Sequence, residues 1–225
     1  MTTSNARLLT FGALVISALL LSIPAAGDGT PSLDVTITQA VQRIDSGTVD
    51  AIANVLNWLG ETAPAVALGG LAVLMLAYLH RAFEASIVLA AVAAKSFSPM
   101  LKDLLESPRP DGSSVQVTDV FNGFGFPSGH AMGAMLLYGS LFYVTGRLDP
   151  FRGQRVVQAL AVLMILGTGF SRIYVGAHWP TDVLGGYLWG STFLVVAIAI
   201  CTSIWAPRTG NERVIDVGAV LNPKS

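Results

Sequence analysis

Long uncharged runs alternate with short charged stretches along the chain, and several runs are long enough to be helices in lipid, where a span needs about 20 mainly apolar residues. Residues 8–27, 62–79 and 183–207 are three such runs. Three more are less clean: 82–101 is interrupted by Glu84 and Lys95, while 131–146 and 156–171 are short but extend through uncharged flanks. The pattern predicts an all-α fold, a six-helix transmembrane bundle. Between the first two spans, Val41, Ile44, Ile52, Val55, Leu56 and Leu59 recur at helical spacing. They predict a short amphipathic segment of one or two helices lying at the membrane interface and too polar to cross it.

Composition agrees with lipid as the solvent. Of 225 residues, 52% are hydrophobic and 12% charged, about half the charge of a typical soluble domain, and the mean hydropathy is +0.61. A net charge of −1 offers no basic face to a polyanion, which argues against a nucleic-acid partner. The single cysteine, Cys201, has no intramolecular disulfide partner and reads as a packing residue.

Lysine and arginine near spans are retained in the cytoplasm. With both termini inside, the inner side holds Arg7, Arg81, Arg147, Arg152, Arg155, Arg208, Arg213 and Lys224, and the outer side only Arg43, Lys102, Arg109 and Arg172. The expected organisation is an N-in, C-in cell-membrane protein. A first span covers residues 1–27, an extracytoplasmic amphipathic segment 28–61, a transmembrane core 62–207 and a polar cytoplasmic tail 208–225. The first run also imitates a signal peptide, with Arg7 before the apolar stretch and Ala25, Ala26 and Gly27 after it; a retained helix is the expectation.

Three of the four outer cations sit in polar clusters at ends of spans. The first cluster runs from Lys102 to Arg109-Pro110; the prolines at 108 and 110 predict that the helix ends there, so that a turn could aim both cations at one anion. Alone, the pair reads equally well as interfacial anchors. The second cluster is Gly123-Phe-Gly125-Phe-Pro127-Ser128-Gly129-His130, directly before the fourth span. Ser128 is a natural N-cap, the first helical turn offers free N–H groups to an anion, Gly129 permits close approach, and His130 can transfer a proton near neutral pH. The third joins Ser171-Arg172 to His178 and Asp182. A carboxylate accepting from one imidazole nitrogen leaves the other free as a nucleophile; taken alone, such a pair is usually structural.

In combination, Lys102, six residues, Arg109-Pro110, then Pro127-Ser128-Gly129-His130, then Ser171-Arg172, five residues, His178, three residues, Asp182 resembles the type 2 phosphatidic acid phosphatase (PAP2) and vanadium haloperoxidase superfamily. The resemblance covers roughly residues 82–205, and six predicted spans favour the membrane lipid phosphatase branch over the soluble haloperoxidases. It implies that Lys102, Arg109 and Arg172, with Ser128 and Gly129, bind the substrate phosphate. It further implies that His178 is a nucleophile forming a phosphohistidine, that Asp182 orients it, and that His130 is the general acid. No metal or other cofactor is implied. The implied activity is hydrolysis of a lipid phosphate or diphosphate monoester at the extracytoplasmic face: phosphatidic acid, phosphatidylglycerol phosphate, lysolipid or sphingoid phosphates, or a polyprenyl diphosphate such as undecaprenyl diphosphate. The implied partners are the lipid substrate and the bilayer.

Three other readings remain open on the residues. His130, His178 and Asp182 could be two histidines and a carboxylate around a metal, although three nearby cations would repel it. The chain could bind a phosphate ester without turnover, or pass the phosphoryl group to another lipid instead of water. Lys95, seven residues before Lys102, faces roughly the same way about 10 Å deeper and could extend the cationic pocket towards a second phosphate or serve as a structural partner within the bundle. Glu84 reads as an interfacial charge, Gly186 and Gly190 as helix-packing residues, and Trp179 and Tyr174 as interfacial aromatics.

Overall fold

The computed structural model describes residues 3–25, 27, 31–44, 46–118 and 122–206. The expected cytoplasmic tail, with Arg208, Arg213 and Lys224, lies outside them, as do the side chain of Arg7 and residue Ala26. Every regular element among the described residues is helical: α1 (Thr3–Ala25), α2 (Ser32–Gln42), α3 (Gly47–Leu59), α4 (Thr62–Tyr78), α5 (Ala82–Ala94), a 3₁₀ turn (Lys95–Phe97), α6 (Ser98–Leu105), α7 (Gly129–Arg147), α8 (Gln154–Tyr174) and α9 (Pro180–Trp205).

Among the described residues, four stretches are long and apolar enough to cross a membrane: Leu8–Ala25, Ala82–Leu105, Gln154–Tyr174 and Pro180–Trp205. A fifth is available if α3 and α4, which meet at 66°, form one bent span. The apolar run 131–146 becomes α7, which is not among them. α7 is the central helix, packed on α5, α8 and α9, and it buries Met132, Leu136, Leu137, Ser140 and Val144. A helix wrapped by others meets protein rather than acyl chains, so its sequence can stay polar in places.

The core is small and the outside is oily. Ile87, Val88, Met132, Leu136, Leu194 and Ile198 form the centre, whereas Leu20 and Ile23 on α1, Leu71 and Leu74 on α4, Leu160, Leu163 and Leu166 on α8, and Ile200 and Ile204 on α9 are exposed. In lipid, apolar burial does not drive helices together, and close backbone contact at small residues replaces it. Gly186 and Gly190 supply that contact: a Cβ on Gly186 would come within 2.7 Å of the Ser128 carbonyl oxygen, and one on Gly190 within 2.9 Å of Met135 Cβ.

The amphipathic segment is two helices, and α2 turns a polar side inward. Asp34 and Thr38 are its buried residues, while Leu33 and Ile37 are exposed. Both α2 and α3 pack on α8, and α2 also reaches α9.

Candidate functional site

Each predicted cluster lies where a helix begins or ends. α6 stops at Glu106, whose left-handed backbone (φ 47°) ends the helical path and redirects the chain through Pro108 to Arg109. α7 starts at its N-cap Ser128, whose Oγ accepts from the Ala131 N–H at 3.4 Å. α8 ends in a turn at Gly176 (φ 69°), where a Cβ would also strike the Gln116 carbonyl, and α9 begins at Pro180, whose fixed φ suits a first helical position. Since α6 and α8 end where α7 and α9 begin, all three clusters share one end of the bundle.

Backbone hydrogen bonds lace the clusters together. The Gly125 N–H donates to the Ser107 carbonyl at 2.8 Å, and the Ser128 N–H to the Asp182 carbonyl at 2.9 Å. Arg109 spans both neighbours, donating from Nε to the Gly123 carbonyl and from a terminal nitrogen to the Ala177 carbonyl, each at 2.8 Å. Lys102 Nζ donates to the carbonyls of Phe124 (2.6 Å) and Gly125 (3.3 Å), and Arg172 donates to the Asn57 side-chain oxygen. These partners are neutral oxygens, which position the cations without cancelling their charge.

His178 and Asp182 are 2% and 1% exposed, so each needs a partner inside the protein. His178 Nδ1 lies 3.2 Å from Asp182 Oδ2, and that oxygen also accepts from the Trp179 N–H at 3.0 Å. A terminal nitrogen of Arg109 lies 3.2 Å from His178 Nε2. Because guanidinium only donates, these partners assign the proton to Nδ1 and the lone pair to Nε2. Burial, reinforced by Arg109, Lys102, Arg172 and His130, holds the imidazole neutral well below the usual histidine range, despite the adjacent carboxylate. Burial also weakens proton binding at Arg109, and the Asp182 carboxylate opposes that loss. The arrangement offers a neutral, oriented ring nitrogen beside cations able to take an anion.

His130 occupies the first turn of α7. Its Nε2 is buried and has no hydrogen-bond partner among the described residues, which suits a group whose partner is a substrate oxygen. The bend between α3 and α4 presses on its ring: a Cβ on Gly60 would lie 2.6 Å from His130 Cδ2. All eight predicted site residues, Lys102, Arg109, Ser128, Gly129, His130, Arg172, His178 and Asp182, therefore come from segments that meet at this end.

Two further residues join them through α2 and α3. Asn57 holds Arg172. Asp34, 1% exposed, accepts from both the N–H (3.0 Å) and the hydroxyl (2.6 Å) of Thr181. It thereby caps the first turn of α9 from another helix, beside Asp182. Burial raises its proton affinity, and the two Thr181 hydrogen bonds partly offset that. Neither residue stands out in the sequence, because an acidic or amide residue on a half-polar helix looks like any solvated one.

The chain is similar to known proteins in sequence and in fold. Phosphatidylglycerophosphatase B of Bacillus subtilis is 36% identical over 93 residues, which is 40% of this chain and 44% of that protein. An undecaprenyl-diphosphatase of the same organism is 40% identical over 75 residues, 33% of this chain and 31% of that one. The chain thus spans less than half the length of these curated relatives. In fold, it matches the crystal structure of a transmembrane PAP2 type phosphatidylglycerolphosphate phosphatase from Bacillus subtilis with a TM-score of 0.72 at 24% identity, covering 88% of this chain and 98% of that one. It matches Aquifex aeolicus LpxE with a TM-score of 0.61 at 19% identity, covering 75% and 96%. The PAP2 superfamily model matches residues 82–205, the stretch that carries all three clusters, and the chain belongs to that superfamily.

Proposed function

We propose that this protein is an integral membrane phosphatase that hydrolyses a lipid phosphate or diphosphate monoester through a phosphohistidine on His178. The observation that carries the reading is the His178 ring, held between Asp182 Oδ2 on one nitrogen and Arg109 on the other. Lys102, Arg109, Arg172 and the Ser128-Gly129 turn bind the phosphoryl oxygens; Arg109 moves its donor from Nε2 to the substrate. Nε2 attacks phosphorus, Asp182 stabilises the charge that develops on the ring, and His130 gives its proton to the departing oxygen as the P–O bond breaks. His130 then takes a proton from water, which attacks the phosphohistidine and releases inorganic phosphate. Positioning and electrostatics supply most of the acceleration in such transfers.

The names of the relatives support phosphatidylglycerol phosphate and undecaprenyl diphosphate as the first substrates to try. The proposed catalytic core is residues 62–207. With α7, whose 19 residues reach about 28 Å, and with α3–α4 as one bent span, the bundle has six crossings. Arg81, Arg147, Arg152 and Arg155 gather at the end away from the site, which supports an N-in, C-in topology and an extracytoplasmic active site. The test is phosphate release by purified protein in detergent, without added metal, from phosphatidic acid, phosphatidylglycerol phosphate and undecaprenyl diphosphate. Turnover that His178→Ala reduces by about a thousandfold or more is expected; a fully active His178→Ala protein overturns the mechanism.

A further inference from the structure

Lys95 stands apart from the three motif cations and lies along α7 on a different side of His130. It opens the 3₁₀ turn that interrupts the rod between α5 and α6. Lys102 Cε lies 3.9 Å from the point a Cβ would occupy on Gly129, and Lys95 Cε and Nζ lie 3.1 and 3.4 Å from the equivalent point on Gly133. Two lysines are therefore laid across two glycines one turn apart on α7. His130 follows the first glycine and neighbours the second at i, i+3 spacing. A side chain at position 133 would displace the lysine stem.

The two amines then diverge. Lys102 Nζ is held at the Phe124 and Gly125 carbonyls, on the side of the motif loops. Lys95 Nζ is directed to the start of α4, 3.4 Å from Thr62 Oγ1, two residues beyond the Gly60 that packs on His130. The charges of both lysines act on His130. No carboxylate forms an ion pair with Lys95 among the described residues, and one long contact to a hydroxyl leaves its charge largely uncompensated within a span, where such a charge is costly without a function.

Given the phosphatase reading above, position assigns a task. His130 protonates the oxygen joining phosphorus to the leaving group, so the atoms of that group lie beyond His130 as seen from His178. A cation on the α4 side of His130 meets the leaving group rather than the transferred phosphoryl. Phosphatidic acid departs as neutral diacylglycerol. A polyprenyl diphosphate departs as a monophosphate, and phosphatidylglycerol phosphate as a phosphodiester. We propose that Lys95 forms a second anion subsite for leaving groups that carry their own phosphate, and thereby sets the order of preference among lipid phosphates. The subsite makes no new bond: the P–O bond breaks, His130 supplies the proton, and Lys95 offsets the charge that remains on the departing lipid.

The experiment compares the full chain with Lys95→Met and Lys95→Arg on the three lipids of the panel. Removing the charge is expected to lower kcat/KM about ten- to a hundredfold for undecaprenyl diphosphate, for phosphatidylglycerol phosphate or for both, and to leave phosphatidic acid within about twofold, with Lys95→Arg keeping most of the activity. A loss on one of the two anionic leaving groups identifies which one the subsite holds. An equal loss on all three lipids, or none on any, overturns the subsite and leaves the phosphatase reading standing; a wild-type protein that turns over none of them overturns both. Should the variants fail to fold, inhibition of the wild type decides: methylenediphosphonate must inhibit about tenfold more tightly than inorganic phosphate, and equal inhibition refutes the proposal.

Discussion

The two ends of the bundle both concentrate charge, and they handle it in opposite ways. At the end away from the site, cations meet carboxylates. Arg81 pairs with Asp149, and Arg147 lies 3.7 Å from Glu84 while its guanidinium sits 4.8 Å from the Phe83 ring centroid and 5.8 Å from that of Tyr143. At the site end, Lys102, Arg109 and Arg172 are steered by carbonyls and an amide, and a buried carboxylate near them, Asp182, is turned to His178 and the Trp179 N–H. A cation neutralised by an acid anchors a helix. One held by neutral oxygens keeps its field for an external anion, such as the phosphoryl group of the proposed substrate.

Substitution at matched positions is the most direct way to break this contrast. Arg172→Ala and Lys102→Ala are expected to lower kcat/KM for lipid phosphate by about 10² to 10³, the usual cost of one electrostatic donor. Arg147→Ala is expected to change kcat/KM by less than about threefold and to cost about 1 kcal/mol of stability through its ring and carboxylate contacts. Phosphate-release kinetics and detergent melting curves read the two quantities. Similar losses of activity at both ends would dissolve the distinction.

A smaller effect is expected one layer out. Asp34→Ala removes the cap that α2 gives α9 and should cost about 0.5 to 2 kcal/mol. By loosening Thr181 beside Asp182, it should lower kcat by about tenfold with KM little changed. Asp34→Asn retains an acceptor for Thr181 and should recover most of that rate. If Asn is as poor as Ala, the negative charge matters rather than the hydrogen bonds.

The smallest signal is in pH. His178 is neutral in the fold below its ordinary value near 6.5, so between its depressed folded value and about 6.5 the unfolded chain binds a proton that the folded protein does not. Stability contributed by His178 therefore rises with pH across that window, by at most about 1.4 kcal/mol per unit. Melting midpoints of wild type and His178→Asn between about pH 5 and 7 should diverge, with the wild type showing the steeper rise. Parallel curves would mean that the imidazole binds protons in the fold as it does in the unfolded chain, and a wild-type curve that falls with pH would mean that it is held charged.

The three clusters were legible because each is local. Lys102 to Arg109 and Pro127 to His130 each lie at one helix end, and Arg172 to Asp182 cross the short turn from α8 to α9, where proline, glycine and capping signals act between near neighbours in the chain. Asp34 and Asn57 were not legible. Their partners, Thr181 and Arg172, are 147 and 115 residues away, and the periodicity of α2 and α3 describes only an apolar stripe. The same limit applies to α7, whose run of apolar residues marked a helix without marking that it lies at the centre.

The sequence by itself determined the apolar, helical character of the chain and the three candidate clusters, because hydropathy, helix-end signals and motif spacing operate over one or two turns. Tertiary structure decided which side of each group faces which neighbour. It turned Asp34 inward from a helix whose apolar residues face out, set Arg109 against His178 Nε2, and laid Lys95 over Gly133. Those outcomes depend on how closely separate helices approach, and in lipid that approach is set by packing at small residues and by the partners buried polar groups require, neither of which a linear pattern specifies.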